Sequence, residues 1–189
     1  MTQTAETEIT SAATTAAILD VTAELLGEHG CDGLQLRDVA KNAKVSLATV
    51  YKHFPSRDEL MVAAVERWMA VNVYRRFPKP RPGEELADGL IRSFRHVFTP
   101  WKRNPTMLSV FLRVALLPGG ERLSKQGADA TAPTGGDFFA GYDAEFTADV
   151  KLILGTLTTG LLTAFATGRI DVAQIMRVYE RAVYRLTSA

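Results

Sequence analysis

Cysteine is nearly absent: Cys31 stands alone, so no internal disulfide can form and no cysteine-built metal site is available. It reads as a small buried apolar side chain. Histidine is almost as scarce, with His29, His53 and His96 scattered along the chain. His29 reads as a surface residue at a helix C-terminus and His96 as a surface or capping residue. No Gly-x-Gly-x-x-Gly or Walker sequence occurs, and no nucleophile sits beside a base. Those absences exclude the constellations an enzyme requires, and no cofactor or metal is expected. Charge of one sign is also lacking: 22 basic residues face 21 acidic ones. Any attraction to a polyanion must therefore come from a local patch. The opening residues, MTQTAETEIT, have neither a basic cluster nor an apolar core, so no secretory signal is read there. A disordered lead over 1–10 and a cytoplasmic location are expected. The uncharged run 152–168 falls short of the roughly 20 residues that span a bilayer and carries five threonines and three glycines. No membrane is expected as a partner, and the run is expected to form a helix hidden on nearly all sides.

What is present is helical periodicity throughout, which predicts an all-α fold. The chain is organised around Leu34–Leu60. Leu36, Val39, Ala40 and Ala43 recur at helical spacing, and the chain turns at Ala43-Lys44-Val45. Ser46 is placed to cap a short helix, Leu47–His53, that turns Val50 and Phe54 inward. Pro55 ends it, and Ser56-Arg57-Asp58-Glu59 is a capping box opening another helix. Two short helices joined by a tight turn, with polar side chains outward, form a helix-turn-helix reader. From Gly33 to Arg57, Arg37, Lys41, Lys44, Lys52 and Arg57 are set against Asp38 alone, a basic patch suited to duplex phosphates.

Residues from about Thr15 to Val65 resemble the DNA-binding domain of the TetR family of transcriptional regulators. The resemblance is carried by Ile18-Leu19-Asp20, Gly30, Arg37-Asp38-Val39-Ala40, Val45-Ser46, Val50-Tyr51, His53-Phe54, Ser56-Arg57 and Glu59-Leu60. It implies that Gln35 caps the second helix beside phosphate. Ser46 would then contact phosphate or a base edge, and Leu47, Ala48 and Thr49 would face the major groove. Tyr51 and His53 would meet the backbone with Lys52 between them, and Arg57 would meet a phosphate at a helix N-terminus. The DNA-binding set is thus Gln35, Arg37, Lys44, Ser46, Leu47, Ala48, Thr49, Tyr51, Lys52, His53 and Arg57. Lys44 replaces a usual glycine and must take a left-handed backbone that glycine adopts freely.

Along the chain, a first helix over about Ser11–His29 is stopped by Gly30, giving a DNA-binding domain over 11–56. A connecting helix over 57–77 follows, and Pro78, Pro80 and Pro82 make a stiff boundary. An effector-binding and dimerisation domain is expected over 84–189. Its helices are read near Leu86–Phe98, ending near Pro100, and Met107–Leu116. Gly119–Gly136 is read as a mobile loop. A last helix is capped by Asp171. The resemblance places an effector cavity among these helices, with Trp68, Phe94, Phe98, Trp101, Met107 and Phe111 as its wall. Arg113 is either an anchor for an acidic group or an ordinary ion pair. The resemblance also implies that the last two helices pair with a second copy as a four-helix bundle. Ile153, Leu157, Gly160, Leu161, Ala164, Ile175, Tyr179 and Val183 would form that homodimer interface.

The expected function is a ligand-responsive regulator, a repressor on a palindromic double-stranded DNA operator, released by an apolar or amphipathic small-molecule effector. The runs Gln35–Ala40 and Thr49–Tyr51 are similar to the subgroup controlling sterol and lipid breakdown. An effector-independent architectural DNA binder and a transcriptional activator are the alternatives.

Overall fold

The structure is a computed structural model that describes residues 2–135 and 137–187. Among the described residues there are α-helices and one 3-10 turn, with no strand. The helices are α1 (Thr2–Gly33), α2 (Leu36–Asn42), α3 (Leu47–His53), α4 (Arg57–Asn72), α5 (Leu86–Arg103), α6 (Pro105–Val114), α7 (Glu121–Gly135), α8 (Ala144–Ala166) and α9 (Val172–Thr187). The all-α expectation holds. Compactness divides the chain into two units: Met1–Val71 with Thr106–Gln126, and Asn72–Pro105 with Gly127–Ala189. The compact units therefore place 106–126 with the N-terminal residues, on the far side of the proline run.

In the first unit, α1 starts at Thr2, where a disordered lead was expected. Its helical geometry breaks at Gly30, whose φ of 69° is the left-handed stop foreseen there. Ile18, Leu26, Val39, Val50, Leu60 and Val65 are fully buried, and α1 packs on α2, which packs on α3. Thr22 is buried among them because its hydroxyl donates to its own helix, at Ile18 O, 2.7 Å away. Arg67 forks onto Asp20 at 2.6 and 2.9 Å, tying α4 to α1.

Residues 121–135, expected inside a loop, form α7; Gly136 lies outside the described residues. The helix survives a weak composition because Leu123 is buried and Gln126 donates to Glu66 O at 2.9 Å. The sequence around it is Gly- and Ala-rich without a stripe, so tertiary contacts override propensity.

In the second unit, α5 packs on α9, and α9 on α8. Phe94 stacks on Phe98 at 4.2 Å and on Tyr179 at 3.5 Å between ring centroids. Burial pushes the Tyr179 phenol up to about 12. Arg95 forks onto Glu180 at 2.7 and 2.9 Å, which holds the Glu180 carboxyl below its usual range. Gly89 leaves the space that Phe138 fills: a Cβ there would lie 2.8 Å from the ring. α5 continues past Pro100 to Arg103, because Asn104 N–H still reaches Pro100 O at 3.0 Å. α9 opens with a complete capping box: Asp171 accepts from Gln174 N–H at 2.6 Å and Gln174 accepts from Asp171 N–H at 2.8 Å.

α8 overturns one expectation. It was read as hidden on nearly all sides, yet only Val150, Leu154 and Leu161 are buried, while Leu152 is 70% exposed and Ile153 45%. Thr158, Thr159 and Thr163 return their hydroxyls to the carbonyls four residues back. Hydroxyls spent in this way leave the helix surface more apolar than its threonine content suggests. The helix is long and apolar enough to cross a bilayer by length and composition, a test that the core helix of a globular protein also passes.

Candidate nucleic-acid interface

The reader is built by local hydrogen bonds. Gln35 takes an extended backbone before α2, and its carbonyl accepts from Asp38 and Val39 N–H at 3.0 and 3.1 Å. Its side chain makes no cap and stays exposed. The turn closes with Lys44 N–H to Lys41 O at 3.2 Å and Val45 N–H to Ala40 O at 3.0 Å. Lys44 has a φ of 56°, the left-handed backbone anticipated for a lysine in glycine's place. Ser46 then caps α3, its Oγ accepting from Thr49 N–H at 3.0 Å and lying 2.8 Å from Thr49 Oγ1. Val50 anchors the helix from below at 0% exposure. Phe54 is buried, and its N–H bonds Val50 O at 2.9 Å.

What this leaves outward is polar and cationic. Arg37, Lys41, Lys44 and Lys52 are exposed and make no ion pair among the described residues. Ser46, Ala48 and Tyr51 are exposed with them, Tyr51 at 49%. Leu47 and Thr49 are half-buried. Lys41 was counted in the basic patch but left out of the expected contact set; its exposure on the last turn of α2 puts it with the others.

Two expected contacts are spent on the fold. Arg57 Nη2 donates to the carbonyls of Cys31 and, at 3.3 Å, Leu34, so its guanidinium ties the start of α4 to the end of α1. Nη2 alone makes these two bonds, so a phosphate role for Arg57 would fall to its other N–H groups. His53 Nδ1 lies 2.9 Å from Thr15 Oγ1. That hydroxyl also lies 3.0 Å from Ser11 O, so the Thr15 side chain joins His53 to α1. Neither tie was readable from spacing, because Arg57 to Cys31 and His53 to Thr15 are long-range pairs.

The expected effector wall is divided between the two compact units. Phe94, Phe98 and Trp101 are buried at 7, 5 and 3% exposure, with Phe94 and Phe98 in the aromatic stack. Met107 is fully buried in the other unit, while Trp68 and Phe111 are half-buried. Arg113 is exposed and bonds Asp32 at 2.7 Å, which resolves it as an ion pair. Two cavities in the second unit, of about 530 and 580 Å³, are lined by none of these seven. On the expected dimer surface, Ile175 and Val183 are 0% exposed and Tyr179 8%. These three serve packing within the chain, since fully buried side chains offer nothing to a second copy. Ile153 and Gly160 remain exposed, Leu157 and Ala164 half-buried, and Leu161 buried.

Residues 18–64 match the family model for bacterial regulatory proteins of the tetR family, and residues 83–186 match the tetracyclin repressor-like C-terminal domain. A stretch of 75 residues is 40% identical to an uncharacterized HTH-type transcriptional regulator of Mycobacterium tuberculosis, covering 40% of this chain and 35% of that one. Over 50 residues the chain is 42% identical to the HTH-type transcriptional repressor KstR of Rhodococcus jostii, covering 26% of this chain and 24% of KstR. The matches thus span about a third or less of these relatives' length. The crystal structure of a TetR transcriptional regulator from Rhodococcus sp. RHA1 shares the fold with a TM-score of 0.65 at 23% identity, over 92% of this chain and 94% of that one.

Proposed function

The chain belongs to the TetR family of bacterial regulatory proteins, and from that premise we propose that it is a homodimeric transcriptional repressor released from a palindromic operator by a small molecule. The observation that carries the reading is the capped α3, held rigidly over Val50 with Ser46, Ala48, Thr49, Tyr51 and Lys52 turned away from the core. Lysines and Arg37 around it supply phosphate contacts, whose affinity falls with salt. Ala48 and Leu47 meet base edges by apolar contact and Thr49 by its hydroxyl. The likeness to KstR over the reader supports repression as the sign of regulation.

Two readers reach two half-sites only in a dimer. The support for one is the uncovered apolar surface of α8 around Leu152 and Ile153. A matching copy covers it by two-fold symmetry. The effector is apolar or amphipathic, and it acts by favouring a dimer whose readers no longer fit successive grooves. Cytoplasmic location follows from a duplex as partner.

Selection of duplexes from a random library by the purified chain tests the reading. An enriched inverted repeat, with half-sites spaced by about one helical turn or a multiple, is expected. A folded dimer that enriches nothing at low salt defeats it.

A further inference from the structure

We propose that the cavity between the proline-rich segment 78–82 and α5 binds the phosphate-bearing end of a small anionic ligand. It lies wholly within the second unit and measures about 580 Å³, inside the range of small-molecule sites. Arg76, Arg81, Arg92, Arg95 and Arg103 line it together with His96, and no carboxylate does. In a chain of net charge +1 this is a concentration made by folding.

The five arginines divide into two kinds. Arg92 forks onto Glu84 at 2.7 and 2.6 Å and bonds Lys79 O at 2.8 Å, and Arg95 forks onto Glu180. These two are fixed in place, each using Nε and Nη2. Arg76, Arg81 and Arg103 have no carboxylate within ion-pair distance among the described residues. Arg76 and Arg103 face no carboxylate, while Arg81 lies beside Glu84, whose carboxyl its charge helps to lower without forming an ion pair. Guanidinium forks match phosphate oxygens in pairs, which a lysine cluster does not.

Two further features mark the same wall. Arg76 holds a φ of 57°, a backbone that side chains rarely adopt and that persists where surroundings impose it. His96 Nε2 is buried with no hydrogen-bond partner, while its ring meets Phe77 edge-on at 6.0 Å. Unsatisfied buried polar atoms are uncommon and mark places where a partner is missing. An adjoining cavity of about 530 Å³ shares Arg81, Arg92 and Arg95 and gives room for the rest of the ligand. The inference does not rest on operator binding, and its first test contains no DNA.

The full chain is titrated with sodium pyrophosphate by isothermal calorimetry at low salt. One saturable site per chain is expected. Arg81→Ala with Arg103→Ala should weaken it about tenfold or more, the loss of charge-assisted bonds from two forks. Arg81→Lys with Arg103→Lys should fall between, keeping charge without the fork. Arg177→Ala with Arg181→Ala removes the same charge from exposed positions on α9 and should change little. Thermal unfolding of each variant checks folding, and the paired lysine variant keeps the test open if the alanines destabilise. Absence of saturable binding overturns the proposal, as does equal loss in the α9 control. A random-sequence duplex that binds through Arg81 and Arg103 more tightly than pyrophosphate would assign the surface to nucleic acid and also overturn it.

Discussion

The surfaces of α3 and α8 are both exposed, for opposite chemical reasons. On α3 the outward groups are Ser46 at the cap, Tyr51 and Lys52, which water solvates well until a duplex replaces it. On α8 they are Leu152 and Ile153, which water solvates poorly. The first surface is complete in one chain; the second is left uncovered. A reader can be understood from its own hydrogen bonds, whereas an association surface shows itself as burial that has not happened.

The comparison breaks most sharply at α8. Leu152→Glu with Ile153→Glu should convert a dimer to monomer, weakening association by about 100-fold or more, since each buried aliphatic contributes roughly 1.5–3 kcal/mol. Sedimentation would read it, and operator affinity should fall in step. A double variant that stays dimeric would remove α8 from the interface.

Next comes the residue that separates fold from reading inside the first unit. Arg57→Ala leaves the Cys31 and Leu34 carbonyls short of a donor. It should cost about 1–3 kcal/mol of stability in urea or thermal unfolding. A variant with unchanged stability but lost duplex affinity would return Arg57 to the phosphate role.

Tyr51→Ala tests the opposite case. The ring is half exposed, so stability should change little while affinity for all duplexes drops about tenfold. A loss confined to particular operators in fluorescence anisotropy would make Tyr51 a base reader.

The smallest effect concerns the second unit in acid. Arg95 lowers the Glu180 carboxyl in the folded state, so its contribution is present above the unfolded value, near 4.3, and disappears as pH falls through the lower folded value. Glu180→Gln should flatten the acid limb of the stability curve slightly. An identical limb in both proteins would mean that the pair is screened.

The reader was legible in sequence because its signals are local. Gly30, Ser46, Ser56 and Asp171 each act within three or four residues, and each acts as spacing predicts. The misreadings share one cause, which is action at long range. α7 looked like a loop because its support comes from α4, through Glu66 O. The tie from Arg57 to the end of α1 was missed because its carbonyl partners lie far back in sequence. Ile175, Tyr179 and Val183 looked like interface because an apolar stripe does not say which neighbour takes it. The arginine cavity was invisible for the same reason: its members are spread from 76 to 103 and meet only in the fold.

Lys44 carries a consequence of a different order. Its φ of 56° asks for glycine, while the phosphate contact proposed for the reader asks for a cation, and one residue would answer both. Glycine there would relax the backbone by about 1 kcal/mol and leave the turn tighter but less adhesive. Selection for heat resistance and selection for operator grip therefore pull this position apart. A lineage that settles the contest toward durability must recover its hold on DNA from another side chain.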